Sequence, residues 1–319
     1  MRKSVLSMLI ILLFLNISSL YPAQLPDETS STFPAKKAVE MSITSGDCII
    51  KAGATDKITV DLEAKVEPPD AFKPEIFERG ERLIIKERWS GSSRGTVVWT
   101  ITVPAKTDIE VESASGDIAL EGITAAIEIS AASGDVTVEK CQGDAEIETA
   151  SGDITLTDCE GDFEVSAASG NINGSKIKGV IELTSASGDI DLKDSQGTFE
   201  VETASGDIQT ARLELLAESE FSTASGEIEL VLAGTPEKPL SLSTASGDII
   251  LDYNGHPMKG RYELTTRKHR GKIEAPVSFD KEETVDEHGE EYVKKIYTVS
   301  GNEPLITLET VSGDITLIK

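Results

Sequence analysis

Aromatic side chains are scarce in this chain, with Phe, Trp and Tyr making up 5% of its 319 residues. That scarcity excludes a globular core built on large rings and leaves a thin, regularly layered core of aliphatics. Histidine and cysteine number three each, and no histidine stands near a cysteine, so there is no zinc signature. Positive charge is short as well, with 30 Lys and Arg against 56 Asp and Glu, a net charge of −26. Such a balance repels nucleic acid and anionic lipid, and it favours solubility and divalent cations. The one long apolar run, Val5 to Leu15, falls short of the roughly 20 residues that cross a bilayer.

That run follows Arg2 and Lys3 and gives way to the small and polar stretch Asn16 to Ala23, the layout of a cleaved export signal over residues 1–23. No cysteine follows it that could carry a lipid. Its removal takes away two bases and no acid, which brings the charge from −26 to about −28. The mature chain is therefore expected outside the cytoplasm (periplasmic, cell-surface or secreted) with no stable membrane insertion. Residues 24–37 read as a polar linker.

What the chain has in abundance is a Ser-Gly-acid corner. Its serines are Ser115, Ser133, Ser151, Ser169, Ser187 and Ser205, 18 residues apart, then Ser225 and Ser246 after 20 and 21. A period this strict implies stacked coils, in which position n lies under n+18. Three residues after each serine stands a β-branched residue: Ile118, Val136, Ile154, Ile172, Ile190, Ile208, Ile228 and Ile249. Two further on the column is mostly Leu or Val, with Gly174 and Thr210 as exceptions. Period two turns both columns inward. A return strand supplies two more, Ile127, Ala145, Phe163, Ile181, Phe199 and Ile129, Ile147, Val165, Leu183, Val201. The expected fold is all-β, a β-solenoid of two-strand, 18-residue coils. Its core is thin because each coil contributes only a few inward residues.

Glycine is fixed at each corner, Gly116, Gly134, Gly152, Gly170, Gly188 and Gly206, which calls for a positive φ or a close backbone approach. Either would exclude a Cβ.

Before the coils, one copy of the corner appears at Ser45-Gly46-Asp47, followed by Ile49. Runs at Ile58 to Val66, Leu83 to Trp89 and Thr96 to Val103 then read as an antiparallel cap, with Trp89 and Trp99 packed inside it. After the coils, Gly271-Lys272-Ile273 resembles a degenerate corner. Glu274 to Phe279 and Tyr292 to Val299 read as a hairpin carrying the acidic run Asp280 to Glu291, with His288 at its solvated tip, and Ser312-Gly313-Asp314-Ile315 is a last copy. The expected layout is thus an N-terminal cap over 38–110, regular coils over 111–252, and a C-terminal coil and hairpin cap over 253–319.

Two acidic columns are the features that could carry chemistry. One is the corner series that includes Asp117, Asp135 and Asp153, with Asn171 standing in; the other is an outward ladder on the return strand, including Glu128, Glu146, Glu164, Glu182 and Glu200. Unit charges about 4.8 Å apart repel by about 0.9 kcal/mol even at water's dielectric. Something must offset that. The corner acids are expected to accept backbone N–H groups in their own turns, as Asn171 also can. The sharper alternative is Ca²⁺ held between coils by hard oxygen ligands. Cys141 and Cys159 stack one coil apart, within reach of a disulfide, in a column otherwise holding Ile123, Ile177, Ser195 and Leu213, where free thiols are equally comfortable.

The Ala-Ser-Gly-Asp-Ile repeats, Val103-Pro104 before Ile109, and the terminal Thr310-Val311-Ser312-Gly313-Asp314-Ile315 resemble the bacterial adhesin-like family of β-strand-repeat proteins, a domain of unknown function. The resemblance spans about residues 38–319. It implies an exported β-solenoid acting in adhesion or at the cell envelope, and it transfers no catalytic residue. A noncatalytic scaffold that binds an envelope protein or glycan is the expectation. A calcium-stabilised binding module and a carbohydrate-active β-helix enzyme are the alternatives, and the enzyme would need a cleft that 18-residue coils leave little room to build.

Overall fold

The computed structural model describes residues 28–287 and 289–319. The expected export signal and His288 lie outside the described residues. Among those residues no helix is long and apolar enough to cross a membrane.

Two long sheets face each other, one of 14 strands (sheet A) and one of 16 (sheet B), and the chain shuttles between them. The N-terminal region contributes β1 (Glu28–Pro34), β2 (Ala38–Ile43), β3 (Asp47–Gly53), β4 (Lys57–Glu67), β5 (Phe72–Arg79), β6 (Arg82–Trp89), β7 (Arg94–Pro104), β8 (Asp108–Ser113) and β9 (Ile118–Glu121). Strands β10 to β24 continue the coils from Ile127–Ala131 to Ile249–Asp252, with β23 at Leu240–Ser246. The chain then adds β25 (Gly260–Arg267), β26 (Ile273–Glu274), β27 (Lys281–Glu287), β28 (Glu290–Val299), β29 (Leu305–Ser312) and β30 (Ile315–Ile318). Successive coils pair parallel and in register, as with Val136 against Ile154 on one sheet and Ile127 against Ala145 on the other. The solenoid is therefore as expected.

The inward columns form the core. Ile118, Ile154, Ile172, Ile190, Ile208, Ile228 and Ile249 are all sealed from solvent. The two exceptions in the neighbouring column are accommodated: Leu192 leans over Gly174, so that a Cβ there would come within 2.5 Å of its Cδ2, and Thr210 accepts the N–H of Val231 at 3.1 Å. In the first copy, the inward position after Gly46 is Cys48, which pairs with Ile118, and Ile49 points outward opposite Ala119.

The corner glycines are explained by close approach. A Cβ on Gly152 would lie 1.9 Å from the carbonyl oxygen of Gly134, and one on Gly170 would lie 1.8 Å from that of Gly152. Gly116 and Gly134 also have a positive φ of 137°, and left-handed backbone recurs at the second turn, where Lys140, Asp158, Lys176, Asp194 and Arg212 stand in one column with φ of 53°, 57°, 56°, 55° and 58°. Their charges alternate in sign along the axis, and Arg212 holds Asp194 through Nε at 2.6 Å. Both the strain and the alternation went unread in the sequence.

The ends depart from the sequence reading. Residues 28–34, read as linker, form β1, which pairs antiparallel with β4. Its alternation of small polar side chains carries no apolar signature, which is why it reads as linker. The N-terminal region is not a purely antiparallel cap either, because β6 and β7 pair parallel with β2 and β3. The first copy, β2–β3, thus lies between β6–β7 and β8–β9. At the other end the last copy, β29–β30, is inserted between β23–β24 and β25–β26. The hairpin there is β27–β28, so the acidic run Asp280 to Glu291 contains its whole first strand and the start of its second, and Glu282 and Glu283 face Lys295 and Lys294 across the pair.

Candidate functional surface

The corner acids are brought into one column, but they are tied together differently from the expectation. Each accepts an N–H from the next coil instead of from its own turn. Asp117 Oδ1 accepts from Asp135 N at 2.9 Å, Asp135 Oδ1 from Asp153 N at 2.9 Å, and Asp153 Oδ1 from Asn171 N at 2.8 Å. Asn171 Oδ1 then accepts from Asp189 N at 2.9 Å, so the amide does replace the carboxylate. The ladder reaches the inserted end copies, from Asp47 to Asp117 N and from Asp248 to Asp314 N. Only the step from Glu227 to Asp248 lacks this bond among the described residues. Desolvation and the neighbouring Asp248 and Asp207 raise the Glu227 carboxyl above its ordinary value. These bonds commit one oxygen of each carboxylate that calcium would need, and among the described residues no group of three or more His, Cys, Asp or Glu is arranged to hold a metal.

A parallel ladder of hydroxyls supports the corners from inside. Ser185, Thr203, Thr223, Thr244 and Thr310 each donate to the carbonyl of the preceding corner glycine, Thr203 to Gly188 at 3.1 Å and Thr223 to Gly206 at 3.0 Å among them.

The outward glutamates form the expected ladder on sheet B. Glu110, Glu128, Glu146, Glu164, Glu182 and Glu200 are direct register partners, with Glu40 before them and Glu220 after. Arg82 pairs with Glu40 and Glu110 at one end. From Glu128 to Glu220 no ion pair neutralises the ladder among the described residues. Asp108, Asp144 and Asp162 border it, and together they line a shallow groove of about 580 Å³. A larger groove of about 1150 Å³ follows the alanine column Ala114, Ala132, Ala150, Ala168, Ala186 and Ala204, which stands just past the ends of the strands of the same sheet, with Glu112, Glu148 and Glu202 on its rim.

Charge is segregated along the molecule. Residues 111–252 hold 29 acids against 6 bases, whereas residues 24–110 hold 15 against 12 and residues 253–319 hold 12 against 10. Most of the net negative charge therefore sits on the regular coils.

Cys141 and Cys159 are buried, as is Cys48, and all three are free thiols, so the structure does not contain the disulfide that the spacing allows. Their sulfurs donate to backbone carbonyls, Cys141 to Glu139 at 3.3 Å and Cys159 to Thr157 at 3.3 Å. The neighbouring Cys159 thiol, reinforced by burial, holds Cys141 well above the usual thiol range, and the closeness of Cys141 lowers Cys159.

One constellation was missed in the sequence. Glu87, at 8% exposure, accepts four hydrogen bonds: from Thr44 N (2.8 Å), Ser45 N (3.1 Å), Trp89 Nε1 (2.9 Å) and Trp99 Nε1 (2.8 Å). It closes the first corner, where a Cβ on Gly46 would sit 2.4 Å from Glu87 Oε1. Trp89 packs on Phe72 with ring centroids 4.9 Å apart, so both tryptophans serve the end of the solenoid as expected.

Together these features define an all-β, parallel two-sheet solenoid with hairpin-bearing ends and an acidic outer face. The chain belongs to the family Toastrack DUF4097, a domain of unknown function that it matches over residues 36–269. Among solved structures it is similar to a "putative cell adhesion protein" from Clostridium sporogenes ATCC 15579, at 12% identity over 92% of this chain and 99% of that one, with a TM-score of 0.22. It is also similar to a "putative lipid binding protein" from Parabacteroides distasonis ATCC 8503, at 14% identity over 92% and 97%, with a TM-score of 0.42. At those scores neither likeness bears on what this chain binds. A search of curated proteins finds no match.

Proposed function

We propose that the protein is a noncatalytic, exported scaffold that binds an envelope protein or glycan through the outward face of sheet B, in the manner of an adhesin. The observation that carries this reading is the repetition of that face. The same glutamate recurs coil after coil from Glu110 to Glu200 at equivalent register positions. Catalysis by paired carboxylates requires two that differ in environment, one kept protonated and one ionised. A periodic ladder gives every member nearly the same surroundings, which suits attachment at many equivalent points.

The test is an array of envelope glycans and cationic proteins, scored for retention and for cleavage with the wild-type chain and with Glu146→Gln, Glu164→Gln and Glu182→Gln combined. Retention that weakens at least tenfold in the triple variant, without product, supports the reading. Product release by the wild-type chain would replace it with the carbohydrate-active alternative.

A further inference from the structure

A parallel solenoid has four open sheet edges, two at each end, and unpaired edges template association with another chain unless something guards them. Three are guarded here. The sheet B edge β5 contains Pro74 together with Lys73, Glu75, Glu78 and Arg79, and the opposite sheet B edge β27 carries Lys281, Glu282, Glu283 and Asp286. At the far end of sheet A, β26 is only two residues long.

The fourth edge, β1, is different. Among the described residues no strand lies beyond it in sheet A. Between Glu28 and Pro34 it has only Thr29, Ser30, Ser31, Thr32 and Phe33, with neither charge nor proline. Thr29, Ser31 and Phe33 are half-buried and Ser30 and Thr32 exposed, so the strand has a defined inner face.

We propose that β1 is a copy-to-copy interface: two chains join end to end by antiparallel pairing of their β1 strands, continuing sheet A across a two-fold axis. Placing Ser31 on the axis sets Ser30 opposite Thr32, Thr29 opposite Phe33 and Glu28 opposite Pro34. Every inner residue then meets an inner residue, as strand pairing demands, and no like charges face each other. An isologous contact of this kind closes as a dimer and does not propagate. Charge favours the same geometry. Side-by-side contact would bring two coil regions of 29 acids and 6 bases together, whereas end-to-end contact joins regions close to neutral and keeps the coils beyond the screening distance of about 8–10 Å.

The experiment is light scattering with sedimentation on the chain as its host processes it, over a wide concentration range, comparing wild type with Ser30→Lys/Thr32→Lys and Ser30→Glu/Thr32→Glu. Both positions are exposed, and each double variant sets like charges opposite each other twice. Wild type should move from one chain mass to two as concentration rises. Each variant alone should stay at one mass with an unchanged melting temperature, and an equimolar mixture of the two should regain the double mass. A wild-type chain that is monomeric throughout, or a dimer that persists in either double variant, overturns the proposal.

Discussion

Trp99 donates its indole N–H to Glu87 at 2.8 Å inside the first coil, where Trp99 is fully buried. The same carboxylate also receives Trp89 and two backbone amides, so a charged side chain is held in the core by four donors. Replacing Glu87 with alanine strands all four and is expected to cost about 3–5 kcal/mol. Glu87→Gln should also destabilise, because its amide turns donors toward donors. The chain has only two tryptophans, so their emission reports on this corner directly. A red shift well below the main melting transition is expected in both variants, and wild-type emission with wild-type melting would refute the assignment.

The coil corners make a second prediction. Gly152→Ala places a methyl where the Gly134 carbonyl oxygen stands, 1.9 Å from the new carbon, and must push adjacent coils apart. A cost on the order of 1–3 kcal/mol is expected. Gly234→Ala has open space around its Cβ and serves as the control, with melting close to wild type. Equal melting temperatures for the two variants would show that coil contact does not select glycine.

Glu227 interrupts the carboxylate ladder that runs from Asp47 to Asp314. Shortening it in Glu227→Asp restores the side-chain length that spans one coil elsewhere, as from Asp207 to Glu227 N at 2.8 Å. A gain of about 1 kcal/mol is expected, visible as a rise of about 2 °C in melting temperature. A lower melting temperature would mean that the longer side chain has another use.

Calcium gives a fourth test. The Asp117, Asp135 and Asp153 carboxylates are already committed to amides of the next coil. Melting in millimolar calcium and in chelator should therefore coincide. A calcium-dependent rise of several degrees, lost in Asp135→Asn, would establish the metal-stabilised alternative.

Thiol counting addresses the cysteines. With Cys48, Cys141 and Cys159 free and buried, a thiol reagent should label none of them rapidly in the native chain and all three in denaturant. Labelling of one alone in denaturant, before any reductant is added, would show that Cys141 and Cys159 are bonded.

The coils were legible in the sequence because two periods coincide there. Eighteen residues bring Ile154 over Val136, and alternation turns both inward, so register and facing follow from spacing alone. The Glu110 to Glu220 ladder was legible for the same reason. The order of the end coils was not. Copies with the same corner present the same hydrogen-bonding edge, so nothing in Ser45-Gly46-Asp47 says whether it stacks under a later segment. Glu87 was hidden more deeply, because its four donors come from Thr44, Ser45, Trp89 and Trp99, which share no period. The direction of the aspartate bonds, into the next coil instead of the same turn, depends on the distance between coils and has no sequence mark.

The insertion of the first and last copies has a mechanical consequence. A load pulling on the two chain ends would peel β1 first, but then meets β2, which is hydrogen-bonded on both flanks, to β6 and to β8. At the other end it meets β30, held by β24 and β26. Neither strand can be unzipped from an open side; each must be sheared out between two neighbours, breaking both rows of bonds together. A pulling load is therefore resisted at either end by a strand that holds two rows of hydrogen bonds instead of one.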